Sequence, residues 1–411
     1  MYLVLVFSLA LLVLGWAENY FHQKNLRAIR FRILVNGTRG KSSVTRLIAG
    51  ALREAGYKTV AKTTGSEARI ILEDGSETPV KRPLGARITE QKALARLAAG
   101  KRADALVVEC MAVRPESQLL MRSQLVRPTI TVITNARVDH VEEMGPTIED
   151  TEAALAFSIP PDGTLVTADA RFAGAEGVIS ARSARGAQIT QGTQSARRIV
   201  VADASEISDE LLGRFSYPAF PENVSIALAV AAELGIDRET ALRGMISAAP
   251  DIGVLRLFAL DSPDYSLIFI NGFSANDMLS TEMVWHEASK RLPADLPLVV
   301  LYNNRADREY RIAEFLEMPG RIKNIDLLVS MGDHGDKVAR AFRGRGIETM
   351  TSKAGADFDI LFGEMAARVG KSFLLFGVGN FYGKGRAMVD YCMGHGVPYG
   401  GNKEGECFRN R

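Results

Sequence analysis

Between a β-branched run, Arg32–Val35, and an amphipathic stretch, Ser43–Glu54, the chain reads Asn36-Gly37-Thr38-Arg39-Gly40-Lys41-Ser42-Ser43. A glycine-rich turn of this kind joins a buried strand to a helix and fixes much of what the surrounding chain can be. Glycines let backbone N–H groups turn inward around an anion, and the helix N-terminus adds its positive end. Lys41 is suited to neutralise β- and γ-phosphate charge, and the Ser42 hydroxyl to bind Mg²⁺. The general phosphate loop, G-x-x-x-x-G-K-[ST], is longer; here only Thr38 and Arg39 separate the glycines. The competing reading is a tight strand–helix turn with an incidental lysine.

Short β-branched runs alternate with amphipathic stretches after residue 30, the pattern of an α/β sheet with crossover helices. It predicts strands at Arg32–Val35, Ala105–Val108, Thr129–Ile133 and Thr164–Thr167. It predicts helices at Ser43–Glu54, Thr89–Ala99, Thr147–Phe157 and Glu222–Leu234. Gly174 to Arg198 has weak periodicity and reads as loop or short elements with no assigned role. A second series follows, with strands expected at Ser266–Ile270, Leu298–Tyr302, Asp326–Val329 and Phe373–Phe376. Two prolines and a glycine in Ala249–Pro263 mark the boundary between the series. The expected organisation is a membrane anchor at 1–22, a P-loop-type parallel-sheet ATPase domain at 30–250, a smaller Rossmann-like α/β domain at 260–393, and a flexible tail at 394–411.

The anchor rests on Tyr2–Ala17, an apolar run broken only by Ser8 and Gly15. A full span needs about 20 residues, and Trp16, Tyr20 and Phe21 extend the reach of this one at the interface. No basic residue precedes the run, whereas Lys24, Arg27, Arg30 and Arg32 follow it. The positive-inside rule then places the N-terminus outside and everything after residue 24 in the cytoplasm, as a single-pass cell-membrane protein. A cleaved signal peptide competes, although Gly15-Trp16-Ala17 is a poor cleavage site. A helix buried in the protein or in a partner is the other alternative. The 50 Lys and Arg against 48 Asp and Glu leave a net charge of +2, so no strong field recruits nucleic acid. Cys110, Cys392 and Cys407 are too few and too scattered for a disulfide scaffold.

Two further clusters bear on the loop. Val107-Val108-Glu109 ends a strand with a carboxylate, at the edge where α/β sheets bind ligands. Thr134-Asn135-Ala136-Arg137-Val138-Asp139-His140 follows the next strand. A carboxylate and an imidazole at neighbouring strand ends make a cation site with Ser42, to which Thr64 or Ser66 adds a hydroxyl. Ordinary strand-end charges are the alternative for Glu109 and His140. Gly377-Val378-Gly379-Asn380 lacks the third glycine and the distant acidic residue of a dinucleotide site. His286, His334 and His395 have no metal-ligand spacing.

The shortened Gly-Thr-x-Gly-Lys-Ser-Ser loop, the strand-end Glu109 and the Thr-Asn-x-x-x-Asp-His sequence resemble the Mur ligase superfamily, whose members join a carboxylate to an amino acid amine at the expense of ATP. The resemblance implies nucleotide contacts from Gly37, Thr38, Arg39, Gly40, Lys41, Ser42 and Ser43, and an adenine contact from Asn223. It also implies phosphate contact from Arg256 and a place for Asn276 and Asp277 in the Asp-x-Ala-His-Asn signature. Lys41, Glu109 and His140 would be catalytic, with Ser42, Ser66, Glu109 and His140 around Mg²⁺ or, alternatively, Mn²⁺. Three departures stand out. The loop follows almost directly on the anchor, with no domain for a nucleotide-sugar carrier. No lysine stands between Lys101 and Lys290 to be carbamylated. Asn271 or Phe273 occupies the place of the nucleotide-contacting aspartate.

The anchor, Glu109-Cys110-Met111-Ala112-Val113-Arg114-Pro115-Glu116 and Phe273-Ser274-Ala275-Asn276-Asp277 together resemble the ligase subunits of bacterial poly-γ-glutamate (capsule) synthases. That resemblance extends through Asn303-Asn304-Arg305-Ala306-Asp307-Arg308. It implies glutamate and a growing γ-linked glutamate chain as substrates, ATP as energy source, and partners in a polytopic membrane subunit and an accessory subunit; a homo-oligomer is compatible with it. Asn303, Arg305 and Arg308 follow a strand end, where amide and guanidinium groups grip a carboxylate-rich substrate, with a solvated loop as the alternative. The implied reaction passes γ-phosphate to a terminal carboxylate and then admits the amine. A folylpolyglutamate-type or other Mur-like ligase, and an anchored P-loop ATPase driving transport, are the competing functions.

Overall fold

The structure, a computed structural model, describes residues 2–65, 67–82, 85–173, 178–180, 193–195, 198–275, 277–306, 310–352 and 357–400. The chain forms two compact units that part between Asp251 and Ile252, with Ser216–Pro218 assigned to the second.

The first unit is built on an eight-stranded sheet. Its strands are β1 (Phe31–Asn36), β2 (Thr59–Thr63), β3 (Arg69–Ile71), β4 (Glu77–Pro79), β5 (Ala105–Glu109), β6 (Ile130–Ile133), β7 (Thr164–Thr167) and, after a separate two-stranded ladder of β8 (Val178–Ser180) and β9 (Thr193–Ser195), β10 (Arg198–Val201). The order is β10-β7-β6-β1-β5-β2-β3-β4. From β10 to β2 all neighbours are parallel; β3 and β4 add an antiparallel edge. The four central strands expected from β-branched runs are all present, β1 and β5 extended by the polar residues Asn36 and Glu109 that close them at the C-terminal edge.

Both faces of β1 and β5 are buried, as a parallel sheet requires. On one face the helix Lys41–Glu54 buries Val44, Leu47, Ile48, Ala51 and Leu52. It lies so close to the helix Arg238–Ser247 that a Cβ on Gly50 would meet the Gly244 carbonyl at 2.3 Å. On the other face the helix Glu90–Gly100 sends Leu94 and Ala98 against Leu34, Val60, Leu106 and Val108.

The apolar N-terminal run forms one helix, Tyr2–Arg27, long and apolar enough to cross a membrane. Its residues through Trp16 are exposed, but its last turns belong to the first unit, because His22 and Leu26 are buried. An anchor ending at 22 therefore understates the helix.

The second unit holds a seven-stranded sheet of β11 (Leu257–Asp261), β12 (Ser266–Asn271), β13 (Leu298–Asn304), β14 (Ile325–Gly332), β15 (Thr349–Thr351), β16 (Ser372–Gly379) and β17 (Val397–Pro398), in the order β15-β14-β13-β16-β12-β11-β17. One apolar cluster around Phe269, Phe273, Phe362 and Phe373 fills one face, and another around Tyr302, Phe315, Phe342 and Phe376 fills the other. Of the tail expected to be flexible from residue 394, residues 394–400 are ordered, and 401–411 lie outside the described residues. A helix runs to His395, and Val397–Pro398 pairs antiparallel with β11 because the edge strand's backbone groups need partners.

Candidate active site

At the C-terminal edge of β1 the chain turns through Gly37 and Gly40, with φ of 124° and 83°. These left-handed values favour glycine, and space adds a second reason. A Cβ on Gly37 would meet Thr134 Oγ1 at 2.1 Å, and one on Gly40 would meet Asn223 Oδ1 at 2.5 Å. Asn223, from the helix Pro221–Glu233, thus stands directly against the loop. Lys41 opens the following helix and turns Nζ back onto the Gly37 and Thr38 carbonyls at 2.6 and 3.2 Å. Burial pushes its ammonium below the usual lysine range, while the Glu109 charge pulls in the opposite direction.

Glu109, 3% exposed at the end of β5, is the centre of the site. Its Oε2 accepts from Ser42 Oγ at 2.8 Å and from Thr64 N at 2.6 Å, so the strand ends of β5 and β2 meet the loop helix at one oxygen. Gly65 makes that meeting possible, since a Cβ there would lie 2.3 Å from Ser42 Oγ. Ser66 lies outside the described residues. The Ser42 hydroxyl and the Glu109 carboxylate are hard oxygens, the class that suits Mg²⁺ or Mn²⁺.

The Thr134–His140 segment divides its work. Thr134 Oγ1 donates to the Arg39 carbonyl at 2.6 Å, and Asn135 Oδ1 accepts from Thr38 Oγ1 at 2.7 Å and from Arg39 N at 3.2 Å. Arg137 N in turn donates to Thr38 Oγ1 at 3.0 Å. These residues brace the loop, a role that the Thr-Asn pair does not announce in the sequence. Arg39 pairs with Asp139 at 3.3 Å. His140 is exposed and lies 4.0 Å from Glu143. Among the described residues no three His, Cys, Asp or Glu side chains converge as metal ligands.

A second buried network flanks the site and was missed. Lys62, fourth residue of β2 and 1% exposed, donates to Glu90 Oε2 at 2.7 Å, and Arg82 Nε donates to Glu90 Oε1 at 2.8 Å. Burial pushes the Lys62 ammonium down, with Glu90 opposing. Cys110, next to Glu109, is buried and its thiol is pushed up to about 11, which removes it as a nucleophile.

In the second unit, the Arg256 carbonyl accepts from Asn271 N at 2.9 Å. Asp277 caps the helix Met278–Ser289, accepting from Ser280 N at 2.8 Å and Ser280 Oγ at 2.7 Å. Asn276 and Arg308 lie outside the described residues. Asn303 is buried, and its Nδ2 donates to the carbonyls of Asn380 at 2.5 Å and Tyr382 at 3.1 Å. Both amide protons tie the loop after β16 to the end of β13. Asn303 therefore braces this rim and has no donor left for the substrate grip expected of it. The Arg305 guanidinium stands 5.7 Å from the Tyr382 ring centroid. Gly377 and Gly379 answer to packing: a Cβ on either would lie 2.6 Å from Phe273 or from the Asn303 carbonyl.

Comparison with known proteins extends these observations. A family model described as the Mur ligase middle domain matches residues 35–231, and one described as the poly-gamma-glutamate synthase CapB C-terminal domain matches residues 258–395. The chain is 37% identical over 399 residues to the PGA synthase CapB of Bacillus subtilis (strain 168), covering 95% of this chain and 97% of the other. It is 35% identical over 396 residues to the capsule biosynthesis protein CapB of Bacillus anthracis, covering 95% and 82%. Among solved structures, E. coli FolC in complex with ADP matches with a TM-score of 0.61 at 16% identity, over 91% of this chain and 92% of the other. MurF from Acinetobacter baumannii matches with a TM-score of 0.56 at 14% identity, over 93% and 80%. These two likenesses are of fold.

Proposed function

The chain belongs to the CapB family of poly-γ-glutamate synthases, on a Mur ligase framework, and from that membership we propose that it extends γ-linked glutamate chains in an ATP-dependent, ADP-forming reaction. The observation that carries the reading is the convergence of Ser42 and the Thr64 amide on buried Glu109, beside the braced Gly37–Lys41 loop.

ATP and glutamate are the substrates in this reading. The backbone N–H groups of the loop, with the N-terminus of its helix, would hold the β- and γ-phosphates. Lys41 Nζ, on loop carbonyls 2.6 and 3.2 Å away, is placed to exchange them for phosphate oxygens. Ser42 and Glu109, with a hydroxyl from Thr64 or Ser66 and the His140 imidazole as the sequence leads one to expect, would hold Mg²⁺ or Mn²⁺, which offsets phosphate charge. Asn223, against Gly40, would meet the adenine side of the nucleotide. Arg256 and Asp277 are assigned to the nucleotide by family position, and Arg305 to substrate carboxylates.

An amide does not form unaided from a carboxylate and an amine in water, so the acceptor's terminal carboxylate must first be activated. The carboxylate oxygen attacks the γ-phosphorus, ADP leaves, and an acyl phosphate remains. The glutamate amine then attacks the acyl carbon, loses a proton, and phosphate departs. The chain's own contribution is positioning and charge neutralisation. The remaining assignments are a single-pass cell-membrane protein with its catalytic units in the cytoplasm, working with a polytopic subunit and an accessory subunit.

The test is nucleotide product analysis with Mg²⁺, ATP and short γ-glutamyl oligomers, with and without glutamate and the membrane partner. Glutamate-dependent ADP and phosphate, with oligomers lengthened by mass spectrometry, is the expected result. AMP and pyrophosphate would overturn the acyl-phosphate route, and hydrolysis indifferent to glutamate in the full complex would mean an ATPase instead.

A further inference from the structure

The direction in which the N-terminal helix leaves the first unit decides what the active-site edge faces. The helix Glu90–Gly100 runs antiparallel to the strands. Glu90, at its start, takes Lys62 from near the end of β2. Beyond its end, Asp104 N donates to the Lys58 carbonyl ahead of β2, and the Asp104 carbonyl accepts from Phe31 N at the start of β1.

The N-terminal helix runs beside it in the same sense. Glu18 pairs with Lys92, in the first turn of that helix, at 3.1 Å. At the other end Arg32, second residue of β1, donates to the Leu26 and Ile29 carbonyls at 3.2 and 2.7 Å. Between them His22 Nε2 lies 3.1 Å from the Gln124 carbonyl. Followed backwards from Glu18, residues 2–17 continue past the C-terminal edge of the sheet, as roughly 24 Å of exposed helix. That edge carries Gly37–Lys41, Glu109 and Thr134–Arg137.

Trp16, Tyr20 and Phe21 are exposed on this helix, with Trp16 stacked on Tyr20 at 5.6 Å, a composition suited to the membrane–water interface. The Glu18–Lys92 pair sits at the same height. The first unit therefore meets its helix at the depth of the headgroups. Around that meeting Lys81 and Arg87 are exposed, as is Arg114 beyond the end of β5, while Lys92 is half-buried and paired with Glu18 and the nearby Glu90 is held by Lys62 and Arg82.

We propose that the active-site edge of the first unit faces the bilayer, its rim of Lys81, Arg87 and Arg114 seated on anionic phospholipid headgroups. This rests on the reading of Tyr2–Arg27 as a membrane helix and on no part of the ligase mechanism. Polymer extended at that edge starts its path at the membrane surface.

The test places a fluorophore on either edge of the full chain, at Ala86→Cys on the rim or Lys58→Cys on the opposite edge, each in a Cys407→Ser background. The proteins are reconstituted into vesicles of phosphatidylcholine with about 30% phosphatidylglycerol, carrying a short-range quencher on lipid headgroups. Flotation and resistance to alkaline extraction report insertion separately. The expected result is insertion of both, with several-fold stronger quenching at residue 86 than at residue 58. Insertion with equal or reversed quenching overturns the orientation, and failure to insert overturns the membrane reading and the orientation with it. In vesicles of phosphatidylcholine alone, or with Lys81→Glu and Arg87→Glu, quenching at residue 86 should fall by about half. Quenching unchanged by either would overturn the headgroup contact and point to a protein partner on this rim.

Discussion

Ser42 Oγ stands 2.8 Å from Glu109 Oε2, and the Thr64 amide reaches the same oxygen at 2.6 Å. One carboxylate oxygen thus fixes the loop helix and the turn after β2 relative to β5. Glu109→Gln keeps an acceptor in that place and removes the charge. The variant should fold with little change in stability, yet lose about 10²–10³ of its glutamate-dependent ADP release, the scale of a lost electrostatic contact in a water-poor site. Raising Mg²⁺ should recover part of the loss. Wild-type turnover in Glu109→Gln would remove Glu109 from the reaction.

Gly40 is constrained twice, by φ of 83° and by Asn223 Oδ1 where a Cβ would lie. Gly40→Ala should destabilise the chain by about 1–2 kcal/mol from the left-handed backbone alone, plus the clash. Asn223→Ala in the same chain relieves the clash and leaves the backbone cost. Denaturant unfolding of the double variant should therefore recover only part of the stability, and full recovery would show that space alone requires the glycine.

The Lys62–Glu90–Arg82 network should be visible as a pH dependence. Burial by itself would raise the Glu90 carboxyl, but hydrogen bonds from Arg82 and Lys62 outweigh it and hold the group down at about 2. A carboxyl depressed in the folded state contributes stability that is complete above its ordinary value of 4.5 and lost as pH falls from there toward about 2. Glu90→Gln should flatten that part of the stability–pH curve. It should also cost about 3 kcal/mol at neutral pH, because Lys62 is left buried without its charge partner. An unchanged acid limb would mean that Glu90 is not held by these cations.

Much of the first unit was legible because its strands are β-branched runs buried on both faces, and the loop between Val35 and Ser43 has few other uses. β2 was not legible for a physical reason. It is five residues long with a lysine at the fourth, and Lys62 can be buried there only because Glu90, 28 residues away, supplies the opposite charge. No local pattern contains that pairing. The bracing of the loop by Thr134 and Asn135 depends likewise on β6 lying beside β1. Asn303 shows the reverse case: an exposed-looking polar motif in sequence whose amide is consumed by the loop after β16.

The N-terminal apolar run reads as an anchor ending at residue 22, but the last turns of its helix are part of the domain core. His22, Leu26 and Ile29 are 4%, 1% and 0% exposed, while Tyr2 to Trp16 point away from the protein. The two halves should separate on truncation. Removing residues 2–17 takes away only exposed apolar surface, so the remaining chain should be soluble without detergent and unfold at the denaturant concentration of the full chain. Removing residues 2–28 also deletes His22 and Leu26 and uncovers Ile29 and the Gln124 carbonyl. Burial of even one such apolar side chain is worth about 2–3 kcal/mol, so the shorter chain should lose at least that much in urea unfolding. Equal midpoints for the two truncations would show that the helix root contributes nothing to the domain, and would remove the rigid connection on which the membrane-facing orientation depends.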